Sequence, residues 1–249
     1  MIELTNISKR YWLHRRRQLL AQHALKKIRR ASDEFWALRN VSFRVRRGES
    51  VAIIGANGAG KSTLLSIIAG VTHPTTGGLR RDGRVGALLE LGTGFHPDLT
   101  ARENIVLNGS LLGMSRADIT ARFDSIVAFS ELERFLDETV RTFSSGMIAR
   151  LGFAVAIHAD PEVLLLDEVF AVGDASFQKK CIERVASFST EGKTLLFVTH
   201  GMGHALTMCP RALWLEQGTL KMDGATKEVI ACYQSADQPV IQALGVSHT

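Results

Sequence analysis

Short apolar runs that each end in a polar residue or a glycine recur along this chain. They span residues 51–54, 163–166 and 194–198, and they show no alternation with polar positions. Runs of this kind are typical of parallel strands that are buried on both faces. The first run, part of a strand predicted at residues 49–54, meets a glycine-rich loop, and residues 62–69 then have helical spacing up to Gly70. The pattern predicts the order strand, loop, helix.

The pattern changes in two other parts of the chain. Residues 100–143 contain helix-forming segments with few β-branched runs, which predicts a helical insertion. Residues 212–215 and 219–222 are rich in apolar side chains and flank a turn at residues 216–218, which predicts a β-hairpin. We therefore expect an α/β fold with a parallel core sheet, an antiparallel β subdomain and a helical subdomain at about residues 100–150.

Length and composition fit one compact domain outside the membrane. Of the 249 residues, 45% are apolar, which is enough for a substantial core. No run approaches the roughly 18 apolar residues of a membrane helix, and residues 1–6 lack the order of a signal peptide. We expect a cytosolic protein. Its three cysteines, Cys181, Cys209 and Cys232, lie far apart and are expected to be free thiols.

The basic residues are concentrated near the N-terminus. The net charge of +5 arises from 30 basic and 25 acidic residues, but residues 9–30, the basic insertion, carry nine basic residues and no acidic one. The rest of the chain has 21 basic and 25 acidic residues, a net charge of −4. Because the basic residues form a local patch, the charge distribution argues against a nucleic-acid partner. A cationic amphipathic helix here would suit an anionic membrane surface, with a solvated loop as the alternative.

Residues 55–63 have the pattern of a phosphate-binding loop and read Gly55-Ala56-Asn57-Gly58-Ala59-Gly60-Lys61-Ser62-Thr63. Glycines let backbone N–H groups point inward, and the helix that follows directs the positive end of its dipole at the phosphates. Lys61 would reach the β- and γ-phosphates, and Ser62 would bind Mg²⁺. The predicted cofactors are therefore ATP and Mg²⁺, and the predicted ligands are Gly55, Asn57, Gly58, Gly60, Lys61, Ser62 and Thr63.

Two carboxylates follow the second apolar run, at the predicted end of a buried strand. Asp167 would bind Mg²⁺, and Glu168 would polarise the water that attacks the γ-phosphate. An acidic strand end is common in proteins, but together with the phosphate-binding loop it predicts a hydrolase for ATP.

The segment Phe143-Ser144-Ser145-Gly146-Met147 precedes Asp167 by 20 residues. It resembles the signature motif of the ABC-type ATPases, whose consensus is LSGGQ, and differs from it at its first, third and fifth positions. The resemblance implies that two copies close head to tail around two ATP molecules. Ser144 and Gly146 of one copy would then contact the γ-phosphate of the ATP that the other copy holds. Ser144 is also expected to cap the following helix.

Three further positions match this family in chain order. Ala171-Val172-Gly173-Asp174 falls where the family has its D-loop, which assigns Asp174 to the nucleotide site. His200 falls at the switch histidine of the family, next to the γ-phosphate. Tyr11 matches the aromatic residue that stacks on adenine, with Trp12 and Phe35 as alternatives.

Residues 85–90 and 95–104 resemble the Q-loop region of the family. Glutamine is usual in the family where this chain has Glu90. A carboxylate still binds Mg²⁺ or water but does not donate an amide hydrogen bond. We therefore expect Glu90 to contact the nucleotide site and its metal through oxygen.

Three features narrow the resemblance: the sequence LLELGTGF at residues 88–95, the FSSGM form of the signature, and the basic insertion after Tyr11. Together they are similar to the ATPase subunits of polysaccharide exporters, which move lipid-linked O-antigen, capsule or teichoic acid across the bacterial inner membrane. The resemblance covers residues 1–234. It implies an integral membrane permease as partner and a peripheral location at the cytoplasmic face. Residues 235–249 would be a short tail, too short for the carbohydrate-binding domain that some members add.

Other classes stay open at this point. The chain could be the ATPase subunit of another ABC importer or exporter. It could also be a soluble ABC ATPase of translation or DNA repair, although such proteins generally carry two cassettes or a long coiled-coil insertion. A binding module without catalysis is disfavoured because Glu168 and His200 are both present.

Overall fold

The computed structural model describes residues 1–12, 34–88, 92–167, 173–199 and 201–237. The strands in these ranges are β1 (Ile2–Trp12), β2 (Glu34–Val45), β3 (Ser50–Ile54), β4 (Thr76–Arg81), β5 (Val85–Leu88), β6 (Val163–Asp167), β7 (Thr194–Val198), β8 (Arg211–Glu216) and β9 (Thr219–Ala225). The helices are α1 (Lys61–Ala69), α2 (Ala101–Leu111), α3 (Arg116–Ser130), α4 (Ser145–His158), α5 (Ala175–Thr190), α6 (Met202–Met208) and α7 (Thr226–Asp237). Within these described ranges, every helix is too short or too polar to span a bilayer.

A six-stranded sheet in the order β5-β6-β7-β3-β8-β9 forms the main core. Its neighbouring strands run parallel except for β8 and β9. β3 lies in the interior, with Ala52 opposite Phe197 of β7 and Ala212 of β8. The predicted parallel core sheet is confirmed, and the C-terminal ends of β3, β6 and β7 lie along one edge.

Successive residues of β3 face two different hydrophobic cores, because side chains alternate along a strand. Ala52 and Ile54 pack with side chains of α4 and α5. Val51 and Ile53 pack instead with α1 and with the antiparallel strands. Burial of both faces explains why this strand is an unbroken apolar run in the sequence.

The predicted antiparallel subdomain is a three-stranded sheet in the order β2-β1-β4. Leu4 of β1 lies opposite Phe43 of β2 and Leu79 of β4. The buried side chains of this sheet join the core that contains Leu64 and Leu65 of α1. The antiparallel sheet thus covers the helix that follows the phosphate-binding loop.

The helical subdomain consists of α2, α3 and α4 around a core of its own. We predicted its end at about residue 150, whereas α4 continues to His158. The continuation has a physical cause, since residues 151–157 are all buried. Leu151 packs in the helical core while Phe153 packs against the main sheet, so α4 connects the two parts.

The predicted hairpin is confirmed by β8 and β9, in which Trp214 lies opposite Met222. The turn residues Gln217 and Gly218 have φ values of 46° and 78°, as a tight two-residue turn requires. The N–H of Gly218 donates to the carbonyl oxygen of Ala59 at 3.0 Å. The turn therefore supports the loop that follows β3.

The cysteines are free thiols, as predicted. Burial raises the pKa of Cys181 and of Cys209 to about 12. Cys232 is exposed on α7. The two buried thiols therefore act as small apolar side chains in the main core.

Candidate nucleotide-binding site

The segment between β3 and α1 forms the phosphate loop, residues 55–60. β3 ends at Ile54 and α1 begins at Lys61, which confirms the predicted order of strand, loop and helix. Gly60 is the N-cap of α1 and offers no side chain to the first backbone N–H groups of the helix. These N–H groups, together with the helix dipole, suit a phosphate anion.

Two glycines of the phosphate loop are required by the packing around them. Gly55 has a φ of 149°, and a Cβ on it would lie 2.2 Å from the carbonyl oxygen of Leu215. Gly60 has a φ of 102°, and a Cβ on it would lie 2.5 Å from the carbonyl oxygen of Ala37. The loop is therefore held between β8 and β2 in a conformation that only glycine permits.

Lys61 folds over the phosphate loop, although it begins α1. Its side chain is only 6% exposed. Its Nζ donates to the carbonyl oxygens of Gly55 at 2.7 Å and Ala56 at 2.9 Å. The ammonium group thus lies beside the loop whose N–H groups are expected to bind phosphate.

Ser62 and Asp167 meet at the edge where β6 ends. The hydroxyl of Ser62 donates to Asp167 Oδ2 at 2.9 Å. Mg²⁺ is usually bound by one or two carboxylates together with phosphate oxygens and water. This oxygen pair fits a Mg²⁺ site that the phosphates of a nucleotide would complete. Elsewhere in the described ranges, no three His, Cys, Asp or Glu residues form a metal cluster.

Three predicted site residues, Glu90, Glu168 and His200, lie outside the described residues, as do Ala171 and Val172 of the predicted D-loop. Their roles stay predictions. Asp167 of β6, which precedes Glu168, lies opposite Val198 of β7, two residues before His200. The ends of these two strands therefore lie side by side.

The three candidate aromatic residues for adenine lie at the open end of the β1–β2 pair. Tyr11 lies opposite Phe35, and Trp12 lies opposite Glu34. Because opposite residues share a face and successive residues alternate, Tyr11 and Phe35 lie on one face of the pair and Trp12 on the other. All three are exposed, at 40% for Tyr11, 47% for Phe35 and 57% for Trp12.

Trp12 and Tyr11 each have a cation beside the ring. The Nζ of Lys9 lies 5.1 Å from the ring centre of Tyr11. The guanidinium of Arg10 lies 4.8 Å from the ring of Trp12 and 5.5 Å from that of Trp36, and it also pairs with Glu34 at 3.0 Å. A neighbouring cation therefore does not distinguish the two rings. The choice of Tyr11 stays a prediction: Tyr11 and Trp12 lie on opposite faces of the strand pair, and Phe35 lies beside Tyr11.

The signature segment begins α4. Ser144 is the N-cap, and its hydroxyl accepts from the N–H of Met147 at 3.2 Å, which confirms the predicted cap. Gly146 lies in the first turn, where an added Cβ would meet only Ser144 Oγ, at 3.8 Å. The fold of the single chain therefore does not require glycine at this position.

Asp174 is the N-cap of α5, a structural role that sequence reasoning did not assign to it. Its Oδ1 accepts from the hydroxyl of Ser176 at 2.6 Å and from the N–H of Phe177 at 2.9 Å. These hydrogen bonds, the one from Ser176 first, lower the pKa of Asp174. Its Oδ2 accepts from Arg150 at 3.0 Å. The predicted contact of Asp174 with nucleotide stays a prediction.

The loop after the predicted Glu90 site is fixed by two buried asparagines of α2. Asn104 Nδ2 donates to the carbonyl oxygens of His96, Leu99 and Thr100, and Asn108 Nδ2 donates to that of Thr93 at 3.1 Å. Sequence reasoning placed Asn104 in this region without this role. The pattern gave no signal for Asn108, because a polar residue in a helix is usually exposed.

Comparison with known proteins agrees with this geometry. A family model described as "ABC transporter" matches residues 38–171. The O-antigen export system ATP-binding protein of Myxococcus xanthus is 50% identical over 200 residues, which cover 80% of this chain and 46% of that protein. The protein of the same description from Klebsiella pneumoniae is 48% identical over 203 residues, covering 82% of each. This chain thus spans less than half of the first relative.

The fold has close counterparts among solved structures. A dimeric ATP-binding cassette in a post-hydrolysis state, bound to ADP and Pi, superposes with a TM-score of 0.73 at 25% sequence identity. The match covers 91% of this chain and 99% of that one. The fold of this chain is therefore shared with a cassette that binds ADP.

Proposed function

The chain belongs to the ABC transporter family, and we propose that it is the ATP-hydrolysing subunit of a transporter that exports lipid-linked polysaccharide across the bacterial inner membrane. The contact between Ser62 and Asp167 at the edge of the phosphate loop carries the hydrolase part of this proposal. The 48% identity with an O-antigen export subunit along 82% of both chains carries the transport part. O-antigen, capsule and teichoic acid chains are the candidate cargoes.

ATP would bind with its phosphates on the phosphate loop and Lys61. Ser62, Asp167 and the oxygen of Glu90 would hold Mg²⁺, which neutralises phosphate charge when it is bound. Glu168 would accept a proton from the attacking water, and His200 would contact the γ-phosphate. Tyr11 would stack on the adenine, with Phe35 on the same face of its strand pair.

Two copies would close head to tail, each completing the nucleotide site of the other. Ser144 and Gly146 of one copy would contact the γ-phosphate held by the second copy. The N-cap position of Ser144 supports this, because the N-terminus of α4 carries partial positive charge. The open space beside Gly146 also supports it, since a close neighbour outside the chain explains a glycine that the fold does not need.

Closure and hydrolysis would drive a separate integral membrane permease, with this chain bound at the cytoplasmic face. The alternatives are an importer, an exporter of a different cargo, or an ABC ATPase of translation or DNA repair. The relatives favour export, because both are described as O-antigen export subunits.

Gene deletion in the source bacterium, followed by complementation, tests the proposal. We expect wild-type chain to restore the surface polysaccharide and Lys61→Ala to fail, while the exposed-site control Lys179→Met restores it. Purified wild-type chain should hydrolyse MgATP, and a permease should co-purify with it from membranes. Normal surface polysaccharide in the deletion strain, or co-purification with ribosomes or DNA repair proteins instead, would contradict export.

A further inference from the structure

Arg150 of α4 connects the helix that follows the signature segment to two other helices. Its guanidinium contacts Asp174 Oδ2 at 3.0 Å and Glu131 Oε2 at 3.3 Å. It also lies 4.7 Å from the centre of the Phe177 ring. The side chain is only 17% exposed. Arginine suits such a position because its planar group binds two carboxylates and stacks on a ring at the same time.

Glu131 is shared between Arg150 and a second cation, Lys180 of α5. Glu131 follows α3 with a φ of 59°, and its Oε1 accepts from Lys180 Nζ at 3.2 Å. Lys180 Nζ also donates to the carbonyl oxygens of Ala128 and Phe129, at 3.4 and 3.0 Å. A cation near the C-terminus of a helix interacts favourably with its exposed carbonyl groups. Lys180 therefore holds the end of α3 against α5.

The two residues just before α5, Gly173 and Asp174, suit this contact. Asp174 uses one carboxylate oxygen to begin α5 and the other to bind Arg150. At Gly173, whose φ is 72°, a Cβ would lie 3.1 Å from Arg150 Nε and would crowd the guanidinium. Asp174 lies seven residues after Asp167, so the contact ties α4 to the chain just beyond the proposed Mg²⁺ site.

We infer that Arg150, Glu131 and Lys180 form a positioning clamp that sets where Ser144 and Gly146 lie relative to the nucleotide site of the same chain. This inference rests on the proposed function, because those two residues act on the nucleotide of a second copy. If the clamp opens, the first turns of α4 lose their fixed position, while the buried residues 151–157 and the phosphate loop stay in place. ATP binding by one chain is then preserved, and closure of two chains is impaired.

Substitutions in the clamp should change kcat of the full chain and leave KM nearly unchanged. We expect Arg150→Gln to lower kcat for MgATP about tenfold, a typical size for such coupling, with KM unchanged within about twofold. Lys180→Met should lower kcat in the same direction. The matched control is Lys179→Met, which removes an exposed lysine one position earlier on α5 and should leave kcat unchanged. In the double variant, the loss should be smaller than the product of the two single losses, because both act through Glu131.

Hydrogen exchange of the nucleotide-free chain tests the clamp without relying on hydrolysis. We expect faster exchange at the amides of Ile148 to Leu151 in Lys180→Met and Arg150→Gln, and unchanged exchange in α1. If wild-type chain fails to hydrolyse ATP, the proposed function fails while this measurement still decides on the clamp. Unchanged exchange in α4 in both variants would overturn the clamp. So would a rise in KM at wild-type kcat, or equal kcat values for Lys180→Met and Lys179→Met.

Discussion

The hydroxyl of Ser62 donates to Asp167 Oδ2 at 2.9 Å, although 105 positions separate the two residues in the chain. The contact exists because β3 and β6 end at the same edge of the parallel sheet, with β7 between them. Asp167 ends β6, and Ser62 lies in the first turn of α1, which the phosphate loop joins to β3, so the two oxygens meet at this edge.

Removal of the Asp167 charge should weaken binding of ATP only when Mg²⁺ is present. We expect Asp167→Asn to raise the Kd for MgATP at least about tenfold, because one charge-assisted metal contact is lost. Binding of ATP in excess chelator should be unchanged. Calorimetric titration under both conditions measures the difference, and Ser66→Ala, one turn later on α1, is the control. An equal loss with and without Mg²⁺ would argue against a metal role.

Alanine at two glycines should have opposite effects. Gly146→Ala should keep or raise the melting temperature, since alanine is favoured over glycine in a helix by up to about 1 kcal/mol, yet it should abolish ATP-dependent dimer formation. Gly60→Ala should lower the free energy of unfolding by about 1–3 kcal/mol, because its φ and the Ala37 carbonyl exclude a side chain. Calorimetry and light scattering measure both. Dimer formation by Gly146→Ala at the wild-type level would remove Gly146 from the interface.

Glu168→Gln should separate ATP binding from hydrolysis. The amide keeps the shape of the side chain but does not accept a proton, so we expect kcat to fall about 100-fold or more. ATP affinity should stay near the wild-type value, and an ATP-bound dimer should accumulate on size exclusion. Turnover close to wild type would show that another group activates the water.

Local pattern predicted the parts of the fold whose side chains face one environment throughout. β3 and the phosphate loop are examples, because burial on both faces leaves an unbroken apolar run that meets required glycines. β4 is the opposite case. It contains Gly77 and Gly78 and exposes most of its side chains. Neither an alternation of apolar and polar residues nor β propensity therefore indicates a strand there. It is a strand because it pairs with β1.

The contacts of the clamp residues could not be predicted from the sequence either. Arg150 and Lys180 look like ordinary charged positions on a helix, and Glu131 like one just after a helix, where a solvated side chain is the normal expectation. Their contacts depend on how α3, α4 and α5 pack, which no local pattern encodes. Ser62 and Asp167, in contrast, belong to motifs that predict a shared Mg²⁺ site, so the sequence indicated that the two residues lie close together.

Substitution of Glu90 should reveal whether it works through an oxygen atom. Glu90→Gln keeps a carbonyl oxygen and should retain substantial ATPase activity, whereas Glu90→Ala should lose it or uncouple it from transport. Parallel assays of hydrolysis and of polysaccharide export in membranes compare the two variants. Wild-type values for Glu90→Ala in both assays would leave this residue without a role in the site.

Neutralisation of the basic insertion should affect membrane association and not hydrolysis. The basic residues in question are Arg15, Arg16, Arg29 and Arg30, which lie outside the described residues. Their joint change to Gln should weaken binding to anionic vesicles by roughly 3–4 kcal/mol, at about 1 kcal/mol for each charge. Vesicle sedimentation at physiological salt measures the loss, with ATPase activity of the isolated chain unchanged.

A matched charge control distinguishes a local contact from net charge. Four exposed basic residues elsewhere serve as that control when they are changed to Gln: Arg46, Arg80, Arg134 and Lys179. We expect this variant to bind vesicles like wild type. Equal binding by both quadruple variants and by wild type would support the alternative interpretation, in which the insertion is a solvated loop.

Trp12 and Glu34 are opposite partners at the open end of the β1–β2 pair. Their Cα atoms are therefore about 5 Å apart, as in any such pair, and the two residues that flank the 13–33 segment lie side by side. We expect a change in the length of that segment to leave the register of both strands unchanged, because the cost of closing a loop grows only slowly with its length. This hairpin end is thus a natural grafting position. Exchange of the inserted segment is therefore expected to leave the paired strands and the phosphate loop as they are.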